Sequence, residues 1–240
     1  MSKKRNLLLD KIIEIMNEEK RGIVLDIGCG DGDYSFGIKK LGFQVTALDI
    51  DDKRFRYKDE IEFIKCDITK GLPFSDNSFD YVLFLEVIEH LYNPYFVIQE
   101  INRLLKPGGL IILSTPNILN IRSRLRFFFE GSFDFFREPT LEYSEYFGNK
   151  NIHVTIWRYQ ELEYLFAITN LRIEKILTDL IKTQQKLLAF VFQPIIKLQL
   201  YFKRFRSLKK GGIDYTRIHR LLLSPELLLG RHLIIKARKE

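Results

Sequence analysis

Only two cysteines, Cys29 and Cys66, occur in 240 residues, so no disulfide framework holds this chain together. Histidine is scarce as well: His90, His153, His219 and His232 are the whole set, and each is worth placing. No apolar stretch reaches the ~20 uninterrupted residues that a bilayer span requires. The longest candidate, 187 to 202, is broken by Gln193, Pro194, Lys197 and Gln199. Internal repeats and low-complexity tracts are absent, which excludes solenoid architectures. The opening "MSKKRNLLLDKIIEIMNEEK" mixes acids with apolar residues at helical spacing, unlike a secretory leader, and points to a cytoplasmic protein.

Acid is missing from the last quarter of the chain. Residues 181 to 240 carry 14 Lys/Arg against Asp214, Glu226 and Glu240, a balance of +11 in a chain whose total is +7. The basic character is therefore local, and the first 180 residues are mildly acidic. Such a block suits a phosphate-bearing or anionic surface partner, or is simply a solvated basic tail; nucleic acid is not the expected partner.

What is plentiful is hydrophobic residues, 46% of the chain, enough for the core of one large α/β domain over residues 1–240. Apolar residues at 7, 8, 12, 15 and 16 mark a helix. Strands are expected at 22–28, 44–50, 62–68, 81–86 and 110–116, with helices near 34–41 and 94–105. "KPGG", 106 to 109, stops the second of these helices and turns the chain into a strand. A helix over 158–169 and strands at 171–179 and 231–239 complete a Rossmann-like, doubly wound parallel sheet with helices on both faces. Two segments exceed what such a sheet needs: a lid insertion at 117–152 and a basic helical insertion at 180–230.

"VLDIGCGDGDYS", 24 to 35, runs a strand into Gly28, Gly30 and Gly32 and then into a helix. Glycines allow close approach of backbone to ligand, and the helix N-terminus offers unpaired N–H groups. On its own this turn also fits a dinucleotide site. Asp49, about twenty residues on at the end of the next strand, is placed to accept both ribose hydroxyls of an adenosine. Asp67, ending the third strand, is placed to accept an adenine amino group, with Ile68 packing on the ring.

These segments, with "ALDI", "KCDITKGLPFSDNSFDYVLFLEVIEHL" and "LLKPGGLIILSTPN", resemble the class I S-adenosylmethionine-dependent methyltransferases over roughly residues 20–180 and again at 231–239. The resemblance implies a seven-stranded sheet in order 3-2-1-4-5-7-6, strand 7 antiparallel, and bound S-adenosyl-L-methionine. Carried over, Asp26 and the glycines line the methionine part, Asp49 the ribose, Asp67 and Ile68 the adenine, and Leu85 and Glu86 the mouth. Cys29 and Ile50 complete the cofactor-binding set.

"EVIEHL", 86 to 91, is expected to open a helix that puts Glu86, Glu89 and His90 on one face. The segment, with His153 ahead of "RYQELEYLF", resembles ubiquinone-biosynthesis O-methyltransferases and small-RNA 3′-terminal ribose 2′-O-methyltransferases. In both, the resemblance implies a divalent cation, such as Mg²⁺, that holds acceptor hydroxyls. The expected metal set is Glu86, Glu89, His90 and His153, with His90 and His153 as catalytic residues. Two other readings stay open: a metal-free role as general base or substrate contact, and plain structure.

Between 186 and 210 a helix with a narrow polar stripe and a broad apolar face precedes "KRFRSLKK". It reads either as a peripheral contact with an anionic membrane or as a core or dimer-forming helix. The lid interleaves Arg122, Arg124 and Arg126 with phenylalanines, which suits a phosphate-bearing lipid, a quinone precursor or single-stranded nucleic acid, and equally suits packing over the sheet. The lid and tail also resemble methyltransferases of cell-surface glycan pathways. The expected function is O-methylation of a small or lipid-linked acceptor, a quinone precursor or glycan, in the cytoplasm or at the inner membrane face. The alternatives are an RNA ribose 2′-O-methyltransferase and a non-catalytic cofactor-binding scaffold.

Overall fold

The computed structural model describes residues 6–136, 153–210 and 212–240. Seven strands form one sheet: β1 (Ile23–Ile27), β2 (Gln44–Asp49), β3 (Glu62–Lys65), β4 (Phe79–Leu85), β5 (Leu105–Pro116), β6 (Leu171–Leu177) and β7 (His232–Lys239). Their order is β3-β2-β1-β4-β5-β7-β6. The first five pair parallel, and β7 runs antiparallel to both β5 and β6. This is the order and the reversed strand that the resemblance implies.

Alternate side chains of each strand enter opposite layers. Val24, Val45, Leu83 and Ile112 pack under α1 (Leu7–Asn17) and α2 (Asp33–Lys40), where Leu8, Ile12, Met16 and Ile38 supply the covering face. Their strand neighbours Leu25, Val82, Phe84 and Ile111 pack under α3 (Pro94–Leu104) and α5 (Tyr159–Ile168) through Val97, Ile98, Ile101, Leu162 and Phe166. The start of α3 follows from its sequence: Asn93 caps the Phe96 N–H, and Pro94 supplies a helical φ where no N–H is needed. Each apolar side chain buried on such a face contributes about 1.5–3 kcal/mol.

"KPGG" does more than end a helix. Pairing of β5 with β4 begins at Leu105 opposite Phe79, slips, and resumes at Leu110 opposite Tyr81. The four residues are a bulge inside the strand, with Gly108 at φ +74°.

Past β5, α4 (Ile121–Glu130) is capped by Asn120, which accepts the Ser123 N–H at 2.9 Å. The remainder of the expected lid, 137–152, lies outside the described residues. Before β7 come α6 (Thr183–Lys209), α7 (Thr216–Leu222) and α8 (Pro225–Leu229). A small third cluster joins α4, α6 and α8 through Ile121, Ala189 and Leu228. Asn117 ties the end of β5 to this layer by donating to the carbonyls of Glu226, Leu227 and Gly230. Among the described residues no helix is long and apolar enough to cross a membrane.

Candidate functional site

A cavity of about 520 Å³ opens at the carboxyl ends of β1, β2 and β4, where parallel sheets of this kind hold their ligands. Its floor is the turn after β1. Gly28 has φ +73°, and a Cβ there would sit 2.4 Å from Val87 Cγ2, so only glycine fits. The Gly28 and Cys29 amides donate to the Leu48 carbonyl, which pins the turn to β2.

Asp49 ends β2 and braces the turn from the other side. One of its oxygens accepts the Gly30 N–H at 2.9 Å and the other the Asp51 N–H at 2.9 Å. Asp26, buried at the back, accepts from the Ser35 hydroxyl. Burial pushes the Asp26 carboxyl up to about 6, opposed by the Ser35 hydrogen bond and aided by the charge of Asp49. Asp67 caps the short turn at Ile68–Lys70, accepting from the Thr69 hydroxyl at 2.6 Å and the Thr69 N–H at 3.1 Å, and these bonds hold it below its usual range.

All ten residues expected at the cofactor, namely Asp26, Gly28, Cys29, Gly30, Asp49, Ile50, Asp67, Ile68, Leu85 and Glu86, line this one cavity. Tyr34, Arg54 and Thr69 line it too and carried no signal in the sequence motif. Among the described residues six carboxylates face the space, those of Asp26, Asp31, Asp49, Asp51, Asp67 and Glu86, against the single guanidinium of Arg54. The field inside favours a cationic ligand.

The expected helix at 86–91 does not form. Glu86 leaves β4 with φ +55°, in the left-handed region, and only Ile88–His90 makes a turn of 3₁₀ helix. Glu86 is thereby turned away from Glu89. Its Oε1 accepts from the Ser114 hydroxyl at 2.8 Å, and its Oε2 lies 3.6 Å from His232 Nε2. The common face of Glu86, Glu89 and His90 is thus corrected: a left-handed residue breaks the helical spacing on which it rests.

Glu89 and His90 instead meet His153, with one ligand atom from each lying within 4.8 Å of the others. The reason is local. Val154 and Thr155 donate their amides to the Glu89 carbonyl, and the Thr155 hydroxyl donates to the Ile88 carbonyl at 3.2 Å. The segment before α5 is thereby latched onto the 3₁₀ turn, and the rings of His90 and His153 come to 4.8 Å.

Glu89 is fully buried; Thr115 donates to its Oε2 at 3.1 Å, while Oε1 has no protein partner. His153 Nδ1 is likewise buried without one. Burial, and then the charge of Glu86, raise the Glu89 carboxyl well above its ordinary value; burial, and then His90, lower the His153 imidazole to about 4. Two orphaned atoms able to ligate, on an acid and an imidazole whose charged forms burial disfavours, fit a site completed by a cation.

His232 lies in the strand expected at 231–239: it is the buried first residue of β7, and Asp179 accepts its Nδ1–H at 2.8 Å and its backbone N–H at 3.1 Å. Burial would raise Asp179, but the His232 bonds outweigh it and keep the carboxylate charged. The Phe135 ring, itself at φ +69°, lies 5.8 Å from that of His232. His219, the fourth histidine, is buried in α7 and stacked on Tyr215.

A family described as "Methyltransferase domain" matches residues 25–113, the stretch that builds β1 to β5 and the cavity. Among curated proteins, a ubiquinone biosynthesis O-methyltransferase of Dechloromonas aromatica is 35% identical over 102 residues, 39% of this chain and 44% of that protein. A demethylmenaquinone methyltransferase of Bacillus licheniformis is 32% identical over 113 residues, covering 43% and 48%. The chain spans less than half the length of these relatives. Over nearly its whole length it superposes on a SAM-dependent methyltransferase from Archaeoglobus fulgidus, with TM-score 0.63, 17% identity, and 97% and 93% of the two chains covered. The PH0226 protein of Pyrococcus horikoshii OT3 matches with TM-score 0.61 and 20% identity, covering 100% and 93%. The segment that matches the methyltransferase family encloses the cavity, and the chain as a whole shares the fold of the solved S-adenosylmethionine-dependent methyltransferase.

Proposed function

We propose that the chain transfers the methyl group of S-adenosylmethionine to an oxygen of a small or lipid-linked acceptor, a quinone precursor or a glycan. The observation that carries this reading is the acidic cavity meeting, at His90, a cluster in which buried atoms of Glu89 and His153 lack partners. The cofactor supplies a methyl group already activated on a sulfonium, so no covalent intermediate with the protein is required. The chain's own work is to align, to exclude water and to accept a proton.

Asp49 holds the ribose hydroxyls and Asp67 the adenine amino group. Asp26 answers the methionine ammonium, and Glu86 adds negative charge at the mouth. Glu89, His90 and His153 are the residues to hold a divalent cation, which would lower the pKa of an acceptor hydroxyl there and neutralise its developing charge. Carboxylate with imidazole donors suits Mn²⁺, Fe²⁺ or Zn²⁺ as well as Mg²⁺. Glu86 is outside the set. His90, beside the cavity, is the general base if no cation binds.

A curated relative is named as a ubiquinone biosynthesis O-methyltransferase, and that supports an oxygen acceptor. The test combines elemental analysis with transfer of labelled methyl from S-adenosylmethionine to catechols, lipid-linked glycans and RNA oligonucleotides. Methylation of a catechol or glycan, with a stoichiometric cation lost in Glu89→Gln and His153→Ala, is the expected result. Label entering only RNA 3′ ends would replace the acceptor, and metal-free protein with full turnover would return His90 to the role of base.

A further inference from the structure

A helix lying on a protein turns its apolar face inward and its polar face to water. Helix α6 is apolar on both. Its inner side, through Leu188, Ala189, Phe192 and Ile196, packs on Ile121, Leu125 and Leu228. Its outer side carries Leu187, Val191, Ile195, Leu198, Phe202 and Phe205, at steps of four and three, each between 46% and 68% exposed. Phe190, 81% exposed, widens the stripe. From Leu187 to Phe205 it runs about 27 Å along the helix, far more apolar surface than scattered exposed side chains present.

The charge carried by the helix itself is of one sign. Residues 182 to 210 hold eight Lys/Arg and no Asp or Glu. On the helical projection Lys186 and Lys197 border one edge, and Arg206 the other. Helix α4, packed on the inner side, adds Phe128 and Phe129, 77% and 76% exposed. Since no described helix is apolar enough to cross a bilayer, this geometry is that of a helix lying in an interface, its cations reaching to headgroups.

We propose that the outer face of α6 docks on an anionic lipid bilayer, apolar side chains entering the acyl boundary and the flanking lysines and arginines meeting lipid phosphates. Charge complementarity decides this occupant against a second copy of the chain. Two such helices face to face would bring the cationic edges of Lys186, Lys197 and Arg206 together, whereas an anionic leaflet answers each of them. The inference rests on α6 and its neighbours, not on the methyltransferase reading.

The test is cosedimentation of the full chain with vesicles of equimolar phosphatidylglycerol and phosphatidylcholine, and with pure phosphatidylcholine, at low and high salt. The expected result is binding to the anionic vesicles that weakens with salt. Lys186→Gln and Lys197→Gln each lower the partition about fivefold, and Leu198→Glu with Phe202→Glu abolishes it. S-adenosylmethionine titration of each variant reads folding and the cofactor site separately, and the exposed lysine variants serve should the glutamate pair misfold. Wild-type protein left in the supernatant at low salt overturns the proposal. So does equal binding to neutral vesicles, or a solution dimer that Leu198→Glu dissociates.

Discussion

The Asp179 carboxylate holds His232 twice, accepting its ring Nδ1–H at 2.8 Å and its backbone N–H at 3.1 Å. With Nδ1 committed as donor, Nε2 is the ring atom turned toward Glu86, 3.6 Å away. One buried acid thus fixes the start of β7 and the ring beside the mouth of the cavity. Asp179→Asn keeps the shape but loses the charge-assisted bonds. It should cost about 1–3 kcal/mol in denaturant unfolding and leave cofactor affinity nearly unchanged.

Asp26 ties function to pH. Its folded-state pKa is about 6 against an ordinary 3.8, chiefly because it is buried. The native state therefore holds its proton more tightly than the unfolded state, and stability falls as pH rises from about 4 to 6, with the full cost present above that. Two units correspond to about 3 kcal/mol. Asp26→Asn should therefore be more stable than the parent at pH 7, by up to that amount, with the advantage vanishing near pH 4. The same variant should lose most S-adenosylmethionine affinity. Urea unfolding of both proteins across this range, with calorimetric titration, checks both halves.

The glycine turn separates backbone strain from crowding. Gly30→Ala meets nothing within 4 Å and should cost only the left-handed strain of φ +59°, about 1 kcal/mol. Gly28→Ala adds a clash with Val87 and should cost about 3 kcal/mol. Denaturation midpoints of the two variants give the contrast directly. Gly30→Ala should nevertheless weaken cofactor binding, because its methyl group enters the ligand space.

The cluster of Glu89, His90 and His153 yields a sign as well as a loss. A neutral, isosteric Glu89→Gln removes a carboxyl whose ionisation burial opposes, so the metal-free protein should change in stability by less than about 1 kcal/mol. Metal content should fall to background in the same variant. Thermal unfolding with and without a chelator measures the first, elemental analysis the second.

The sheet was legible because its strands alternate with helices and end on glycine, aspartate or proline. From "VLDIGCGDG" through "STP" each expected strand, and the helices after β1 and before β5, lie within about five residues of their places. The cofactor cavity was legible for the same reason, since strand ends and their spacing determine it. Glu86 was not, because a left-handed glutamate carries no sequence signal and helical spacing misplaced it relative to Glu89. Asp179 and His232 stand 53 residues apart and meet only through the β6–β7 layer. For α6, the pattern revealed a broad apolar surface, but which part packs inward depends on α4 and α8.

The most direct measurement is calorimetric titration of the purified chain with S-adenosylmethionine, beside Asp49→Ala and Asp26→Asn. The account predicts one site per chain in the wild type, with affinity reduced at least tenfold in either variant, since each loses a charged hydrogen bond worth about 1.5–3 kcal/mol. A wild-type protein that takes up neither S-adenosylmethionine nor its demethylated product, while remaining folded, would contradict it.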